Sequence, residues 1–334
     1  AFVLSLAYSS NVFSNIYTVI KENGNNTDPC GVSGSFKQAL CDAKNNPGLD
    51  TIRFAVSGNI VNSQSKIYTL DAQHSDLLID GLNNLTNTTL KFAFKVTGSN
   101  IHFTNIDLDL TSVTLNYGLD INNDNTSITN CSFDTKMSSV FIQGDNHIID
   151  NCTFSTSRLG NDCIWIKNGE NYTIRNCFFN SSKQHAISVQ NGGKNTIDNC
   201  TSNGIDDVAI ILRGSGENTI SNCSISDGKH NGIGLISSNN IVENCQIYDN
   251  DYAGIVCVPQ GAEKAEKNII RNNTLYGNHA ELNILFDEQA TISSFGPETE
   301  IYENQVYNNE GGGIEVQNAS GKNSVIRDNI VYGN

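Results

Sequence analysis

Positive charge and long apolar runs are both scarce in this chain of 334 residues. Only 20 lysines and arginines accompany 35 aspartates and glutamates, so the formal net charge is −15, and charged residues make up only 16% of the chain. Without a basic stripe, neither nucleic acid nor an anionic lipid surface is an expected partner. The apolar segment 1–8 is too short to cross a bilayer as a helix, and we expect no transmembrane segment.

Familiar metal-ligand spacings are also missing. No Cys-x-x-Cys pair occurs, which disfavours a zinc site. Acidic turns at 122–124 and 249–251 offer oxygen ligands for Ca²⁺, but neither follows the spacing of an EF-hand loop. The sequence therefore predicts no metal site and no cofactor, with Ca²⁺ as an unsupported alternative.

What the chain does have is a short repeat, the dipeptide Asn-Cys, at intervals of 21, 25, 23, 23 and 22 residues. The six copies are Asn130-Cys131, Asn151-Cys152, Asn176-Cys177, Asn199-Cys200, Asn222-Cys223 and Asn244-Cys245. A unit this short cannot bury a core alone, so neighbouring units must stack into a solenoid.

A second element, a short β-branched run, recurs in phase with the first. These runs begin at Leu119, Val140, Ile164, Ile187, Ile210, Ile233, Ile255, Ile284 and Ile314. Apolar residues alternate within the runs as in strands, and the intervening Asn, Gly, Ser and Asp favour turns. With about 23 residues per coil and no leucine frame, the pattern predicts an all-β, right-handed parallel β-helix.

Stacking places each repeated residue in a column. We expect the six asparagines to point into the stack as an amide ladder, with the six cysteines in a column beside it. Stacked Cα atoms roughly 4.8 Å apart fall within the range of a disulfide. Pairing of Cys131 with Cys152, Cys177 with Cys200 and Cys223 with Cys245 therefore stays open, as does an unbridged column of packed thiols.

The chain divides into an N-terminal strand and cap region, 1–80, and the β-helix, 81–334. Two later coils are longer, and we expect their extra residues at one corner, as loops near 258–268 and 287–300. Segment 35–54 has the pattern of a capped short helix, an Asn-Asn-Pro-Gly stop and a strand.

This segment resembles the one that opens the β-helices of many large bacterial and archaeal surface proteins, including polymorphic outer-membrane proteins. Here Phe-Lys-Gln-Ala-Leu stands in place of the usual Leu-Arg-Glu-Ala-Ile core. The resemblance implies an adhesin-like or envelope-associated protein, and it brings no catalytic residues.

Glycosylation sequons and one cysteine pair indicate an extracellular or cell-surface protein. Cys30 and Cys41 flank a short segment outside the solenoid and are expected to form a disulfide, which favours an oxidising compartment. The sequons expected in surface turns, where a glycan can project, are Asn25, Asn84, Asn87, Asn171, Asn180 and Asn318.

Both ends of the sequence favour self-assembly. A terminal strand is readily added to an open sheet edge, and an uncovered coil end is itself such an edge. We expect head-to-tail contacts between copies of the chain, which propagate as a filament or tube. The residues expected to form them are Ala1, Phe2, Val3, Leu4, Ser5 and Leu6 at one end and Ile330, Val331 and Tyr332 at the other.

An enzyme is the main alternative, because one face of the aligned coils collects acid-base and cationic residues. They are Asp162, Lys167, His185, Asp207, Arg213 and His230. The stretches 161–164 and 184–189 resemble the Asp-Asp-Cys and Gly-His-Gly-Ile-Ser pair of polygalacturonases, with Asn161 replacing the first aspartate and Gln-His-Ala replacing Gly-His-Gly. Hydrolysis needs paired carboxylates, whereas a lyase needs only a charge neutraliser and a base such as Lys167 or Arg213.

We therefore predict an extracellular structural or adhesive surface protein, a self-assembling filament glycoprotein rather than an enzyme. The alternative is a polysaccharide lyase, hydrolase or epimerase that acts on acidic polysaccharide. A third hypothesis is a glycan-binding module whose partners are cell-surface glycans. That hypothesis calls for a ladder of exposed aromatics, whereas Trp165 is the single tryptophan and Tyr172, Phe178 and Tyr252 are dispersed.

Overall fold

The chain forms a right-handed parallel β-helix, as the repeat predicts. The computed structural model describes residues 15–20, 30, 33–46, 48–55, 59–60, 66–81, 88–112, 115–156, 161–214, 216–280, 290–317 and 323–334. Within these ranges the strands form three parallel sheets, which we name A, B and C. One α-helix, Phe36–Asn45, and one short 3₁₀ helix, Ala72–His74, accompany them in the described residues.

Successive strands in each sheet come from successive coils. Sheet A contains Asn15–Val19, Asp50–Phe54, Leu77–Asp80, Ile101–Thr104, Ser127–Thr129, Ile148–Asp150, Thr173–Arg175, Thr196–Asp198, Thr219–Ser221, Ile241–Glu243, Ile269–Arg271, Glu300–Tyr302 and Val325–Arg327. Sheet B contains Asn59–Ile60, Thr88–Leu90, Ile106–Leu110, Ser132–Thr135, Thr153–Thr156, Phe178–Asn180, Thr201–Asn203, Ser224–Ser226, Gln246–Tyr248, Thr274–Tyr276, Gln305–Tyr307 and Ile330–Tyr332. Sheet C contains Ile67–Leu70, Ala93–Val96, Tyr117–Asn122, Ser138–Gln143, Ile164–Glu170, Ile187–Gly193, Ile210–Arg213, Ile233–Ile236, Ile255–Cys257, Ala290–Ser294 and Gly312–Val316.

The coils stack in register, so equivalent residues form columns. In sheet C, Ile164 pairs with Ile187, which pairs with Ile210, and the column continues through Ile233 and Ile255. Inward side chains of this kind merge into one apolar core that runs along the solenoid. Because successive side chains of a strand point to opposite faces, the alternate residues of sheet C form an outer surface.

The asparagines of the Asn-Cys repeat do not point into the stack, which corrects the prediction. All six side chains are exposed, and their φ angles lie between 50° and 56°. Asparagine tolerates this left-handed conformation better than most residues, so it turns the chain outward at the corner between sheets A and B. Some links of a ladder do form outside: Asn151 Nδ2 donates to Asn130 Oδ1 and Asn199 Nδ2 donates to Asn176 Oδ1, each at 2.8 Å.

Buried asparagine ladders lie at other positions of the coil. Asn240 Oδ1 accepts the backbone N–H of Asn218 at 3.2 Å, and Asn268 Oδ1 accepts that of Asn240 at 2.9 Å. In the last coils asparagine also takes over the inner position of the repeat cysteines, where Asn304 Oδ1 accepts the N–H of Asn273 at 3.0 Å. These amides supply the hydrogen-bond partners that buried backbone groups at a corner require.

The cysteine column is unbridged. All six repeat cysteines, Cys131, Cys152, Cys177, Cys200, Cys223 and Cys245, are free and buried, as are Cys163 and Cys257. Thiols of the column donate to the carbonyl oxygen two residues earlier, at 3.2 Å for both Cys131 and Cys223. Of the two sequence-based alternatives, the column of packed thiols is the one that the structure contains.

The N-terminal helix covers the first coils. Ser35 Oγ accepts the N–H of Gln38 at 3.2 Å and so caps the helix, as its sequence predicts. Phe36 packs on Phe54 and Tyr68, with ring centroids 5.4 and 5.0 Å apart. Residues 15–80 already contribute strands to all three sheets, so coil stacking begins inside the predicted cap region.

The predicted disulfide joins Cys30 and Cys41, whose Cα atoms are 5.4 Å apart. It lies beside the helix Phe36–Asn45, which contains the second of these cysteines.

One of the two predicted loops needs correction. The segment 258–268 does connect the strands Ile255–Cys257 and Ile269–Arg271. Residues 290–294, however, form a strand of sheet C rather than part of a loop near 287–300. Ile292 pairs with Ile255, so the strand of this coil lies later in the sequence than the repeat predicts.

Three of the residues predicted to assemble have exposed side chains. Ile330, Val331 and Tyr332 are 58%, 46% and 54% exposed. The other residues predicted to assemble, 1–6, lie outside the described residues, as do the sequons Asn25, Asn84, Asn87 and Asn318. Asn171 and Asn180 are exposed. Within the described ranges, no helix has the length and apolar character needed to span a bilayer.

Candidate active site

Four of the six predicted acid-base and cationic residues precede successive strands of sheet C, and the other two, Lys167 and Arg213, lie further along those strands. Asp162 and His185 occupy equivalent positions in successive coils, two residues before Ile164 and Ile187. Asp207 and His230 occupy the position one residue earlier in the next two coils. The register of sheet C, in which coils are roughly 4.7–4.9 Å apart, therefore brings residues from four consecutive coils together.

His185 has a defined tautomer when neutral. Its Nδ1 lies 2.8 Å from the carbonyl oxygen of Val208, which only accepts hydrogen bonds, so Nδ1 carries the proton. Its Nε2 lies 4.0 Å from Asp207 Oδ2. Nε2 is therefore the atom of this imidazole that can accept a proton. The Asp207 carboxylate lies near enough to stabilise the imidazolium that would form.

Asp162 is buried directly beneath this histidine. Its Oδ1 accepts the backbone N–H of His185 at 3.2 Å, which fixes the carboxyl group. Burial raises the pKa of Asp162, and the negative charge of Asp207 adds to this rise while His185 and Arg213 oppose it. A carboxyl group held in this way keeps its proton to a higher pH than an exposed aspartate.

His230 lies on the far side of Asp207. Its ring stacks on Tyr252, with centroids 4.7 Å apart and an interplanar angle of 25°. Burial lowers the pKa of His230, which keeps the imidazole neutral near pH 7 although the Asp207 charge opposes the shift. Within the described residues its Nδ1 has no hydrogen-bond partner, and neither has the buried Oδ1 of the adjacent Asn231.

Cations collect beside these groups in a chain that is strongly acidic overall. Lys167, Gln190 and Arg213 pair across successive strands and form one outward column. The buried Nε of Arg213 has no hydrogen-bond partner among the described residues. The side chain as a whole is only partly buried, so the guanidinium charge can act on a carboxylate ligand.

Two more lysines, which the repeat pattern does not reveal, flank the edge of sheet C. Lys183 and Lys229 both form ion pairs with Asp206, the second at 2.6 Å. These two lysines lower the pKa of Asp206. They belong to the coils of His185 and His230, so the bridge ties the coils of the site together.

The outer surface of sheet C also carries an aromatic group that sequence spacing does not reveal. The Phe141 ring stacks on Tyr117 at 4.7 Å and meets Trp165 edge-on at 4.9 Å, and the Tyr117 and Trp165 centroids are 6.5 Å apart. Lys167 Nζ lies 5.8 Å from the Trp165 ring centre. Tyr117 precedes the periodic run at Leu119, which is why the repeat pattern gave no signal for it.

Among the described residues, no group of three or more His, Cys, Asp or Glu side chains is placed to hold a metal ion. The chemistry that the arrangement can support is proton transfer by imidazole and carboxyl groups, with cations to neutralise an anionic ligand.

Comparison with known proteins gives the fold. Residues 138–293 match the family model described as a right handed beta helix region. No curated protein matches the sequence.

Similar solved structures include the A-module of mannuronan C-5 epimerase AlgE6 from Azotobacter vinelandii, at 11% identity and a TM-score of 0.62 over 94% of this chain and 99% of that one. The PL6 family alginate lyase AlyGC is 14% identical with a TM-score of 0.60, over 88% of this chain and 50% of that one. An alginate lyase from Paenibacillus sp. str. FPU-7 is 11% identical with a TM-score of 0.54, over 92% and 99%. At such identities the likeness establishes the fold alone.

Proposed function

We propose that this chain is a carbohydrate-active enzyme that removes a proton next to the carboxylate of a uronate residue in an acidic polysaccharide. The observation that carries the proposal is the convergence of two imidazoles, two carboxyl groups and a guanidinium from four consecutive coils. Solved neighbours named as alginate lyases and a mannuronan epimerase support this choice over a purely structural function.

Proton abstraction fits the geometry better than hydrolysis. Asp162 and Asp207 lie two coils apart, and the first is buried against the backbone of His185, so the pair is poorly placed to flank a glycosidic bond. His185, whose side chain is 10% exposed, instead has a lone pair on Nε2 that can accept a proton. The charge of Arg213 can neutralise the uronate carboxylate and lower the cost of charge at the neighbouring carbon.

The proposed step leaves two outcomes open. His185 takes the proton from C5, and the electrons then expel the oxygen from C4 to form a C4–C5 double bond, with a proton delivered to the leaving oxygen. In an epimerase a proton instead returns to C5 from the opposite face. We assign the second proton to His230 or Asp162, the other acid-base groups in the coils next to His185 and Asp207.

The test measures the loss of the C5 proton directly. The protein is incubated in D₂O with alginate or polygalacturonate, and NMR measures deuterium at C5 while ultraviolet absorbance measures unsaturated product. We expect exchange or elimination with the unmodified protein and a loss of at least about 100-fold in His185→Ala, the usual size of an acid-base contribution. The control is His279→Ala, an exposed histidine near the C-terminal end of the solenoid, paired with Glu310 at 2.9 Å. Equal rates in the two variants would contradict the assignment of His185.

A self-assembling structural function remains a second proposal, and exposed apolar side chains on the coil 323–334 are the observation behind it. Val331 and Ile326, which occupy inward positions of the last coil, are 46% and 49% exposed. Light scattering across a concentration series tests it, with Val331→Asp as the disrupting variant. Assembly abolished by that change supports the proposal, whereas a monomer at all concentrations contradicts it.

A further inference from the structure

We infer that Tyr117, Phe141 and Trp165 form a binding subsite for a sugar residue of an acidic polymer, on the N-terminal side of the proposed reaction centre. The inference rests on the proposed function for its orientation but makes a separate claim about binding. Tyr117 and Trp165 are only partly buried, and together with Phe141 they form one contiguous group. Aromatic surfaces of this kind pack against the apolar faces of ligands, including the C–H faces of pyranose rings.

The position of the group fits a polymer that lies along the solenoid axis. Trp165 belongs to the same coil as Asp162, and Ser188, which pairs with Trp165, belongs to the coil of His185. Phe141 lies one coil further toward the N-terminus. Since a pyranose residue spans roughly one strand spacing of 4.7–4.9 Å, a polymer with one residue in the coil of His185 would place its neighbours at the level of the coils that contain Trp165 and Phe141.

Charge selects the kind of sugar. Lys167 Nζ lies 5.8 Å from the Trp165 ring centre and belongs to the outward column that ends in Arg213. A sugar stacked on Trp165 would therefore present its substituents to Lys167, with Arg213 two coils further along, and this favours carboxylates over neutral hydroxymethyl groups. In a protein of net charge −15, binding of a polyanion needs such a local concentration of cations.

Trp165 also makes the test direct, because it is the only tryptophan of the chain. The His185→Ala protein, which is impaired in turnover if the proposed function holds, is titrated with hexameric fragments of alginate and of polygalacturonate while Trp165 fluorescence is measured. We expect a saturable change with at least one of these ligands. Adding Tyr117→Ala should weaken the affinity at least fivefold, and adding Lys167→Gln should weaken it and reduce its dependence on salt.

The matched control is Phe178→Ala in the same background. Phe178 is an aromatic residue on sheet B, 41% exposed, in the coil that follows Trp165. We expect it to leave the affinity unchanged, and circular dichroism checks that every variant is folded. A neutral glucan hexamer serves as the ligand control and should bind at least tenfold more weakly.

The outcomes separate this inference from the proposed function. If the unmodified protein turns over a polymer but Tyr117→Ala and Phe178→Ala bind its fragments equally well, the subsite is refuted and the reaction stands. If no polymer is turned over but binding is saturable and lost in Tyr117→Ala, the subsite stands and the reaction fails. Equal binding of the neutral and acidic hexamers would overturn the charge selection.

Discussion

Replacing Asn240 by alanine should destabilise the protein far more than removing an asparagine of the Asn-Cys repeat. Asn240 is fully buried, and its Oδ1 accepts both the backbone N–H of Asn218 at 3.2 Å and the side-chain Nδ2 of Asn218 at 3.0 Å. Its Nδ2 donates to Ser237 and to Asn268, each at 3.0 Å. It therefore links three consecutive coils inside the solenoid.

The expected cost follows from these contacts. Alanine cannot accept the buried N–H of Asn218, and each buried polar group that loses its partner costs about 1–3 kcal/mol. With one to two groups affected, the free energy of unfolding should fall by about 1–6 kcal/mol. Asn222 provides the comparison: its side chain is exposed, and its Nδ2 donates to Asp198 at 2.7 Å.

The matched change at that corner is Asn222→Gly rather than alanine, because φ is 54° and glycine adopts this conformation without strain. A surface change of this kind should cost about 0.5 kcal/mol or less. Urea unfolding followed by circular dichroism and by Trp165 fluorescence measures both variants, and two probes are used because long solenoids can unfold in more than one step. A midpoint shift for Asn222→Gly as large as that for Asn240→Ala would refute the claim that the buried asparagine ladder contributes more to stability than the exposed one.

Three further predictions concern groups elsewhere in the solenoid. Burial lowers the pKa of His147, whose Nδ1 accepts the N–H of Thr126 at 3.1 Å. The neutral imidazole therefore stabilises the fold above about pH 6.5, the pKa of histidine in the unfolded chain. This contribution is lost as the pH falls toward the lower pKa of the folded state. The urea midpoint should fall with acidification, and less so in His147→Asn. Burial raises the pKa of Cys257 to about 12, so a thiol reagent should label it only after unfolding. Gly144→Ala should be more destabilising in urea than Gly204→Ala, because both have positive φ but only at Gly144 does an added Cβ overlap a backbone carbonyl of the preceding coil.

Each of these has a clear contrary result. A urea midpoint independent of pH between 7 and 5, or equally dependent in His147→Asn, would show that this histidine does not carry the acid sensitivity. Rapid labelling of Cys257 in the native protein would contradict its burial. Equal urea midpoints for the two glycine variants would show that the coil at Gly144 relaxes without cost.

The sequence predicted the fold because inward residues repeat. Ile164, Ile187 and Ile210 each meet a similar residue in the next coil, so one spacing indicates both the coil length and the pairing. The direction of a corner residue carries no such signal. Asn130 and Cys131 recur together, and only the backbone φ of the asparagine decides which of the two faces the core.

In the longer coils, the repeat spacing predicted the wrong strand position for a related reason. Ile284 and Ile292 are both β-branched residues in the right part of the sequence, and spacing alone could not tell which pairs with Ile255. The stacked tyrosines of sheet B were missed as well, although they recur at regular positions. Tyr248, Tyr276, Tyr307 and Tyr332 stack with centroids 5.0, 5.4 and 5.2 Å apart.

The candidate site was partly visible in the sequence because register converts spacing into proximity. Asp162 and His185 lie at the same offset from their strands, which was enough to place them in neighbouring coils. The tautomer of His185 and the two ion pairs of Asp206 could not be predicted. Both depend on the direction of the side chains rather than on the distance of a residue from its strand.

The distribution of repetition along the solenoid itself argues for function at sheet C. Stacked columns favour like neighbours, as the cysteines and the tyrosines show, because identical side chains pack and bond well when one lies above the other. At the edge of sheet C the column instead runs from Asp162 through His185 and Val208 to Asn231, with Asp207 and His230 beside it. Two of these residues keep buried polar atoms without partners in the described structure. Identical residues stack in the columns that stabilise the solenoid, whereas different titratable residues meet at this edge. Such a departure from the repeat is expected to cost local stability. It is the pattern expected of a site that acts on a ligand.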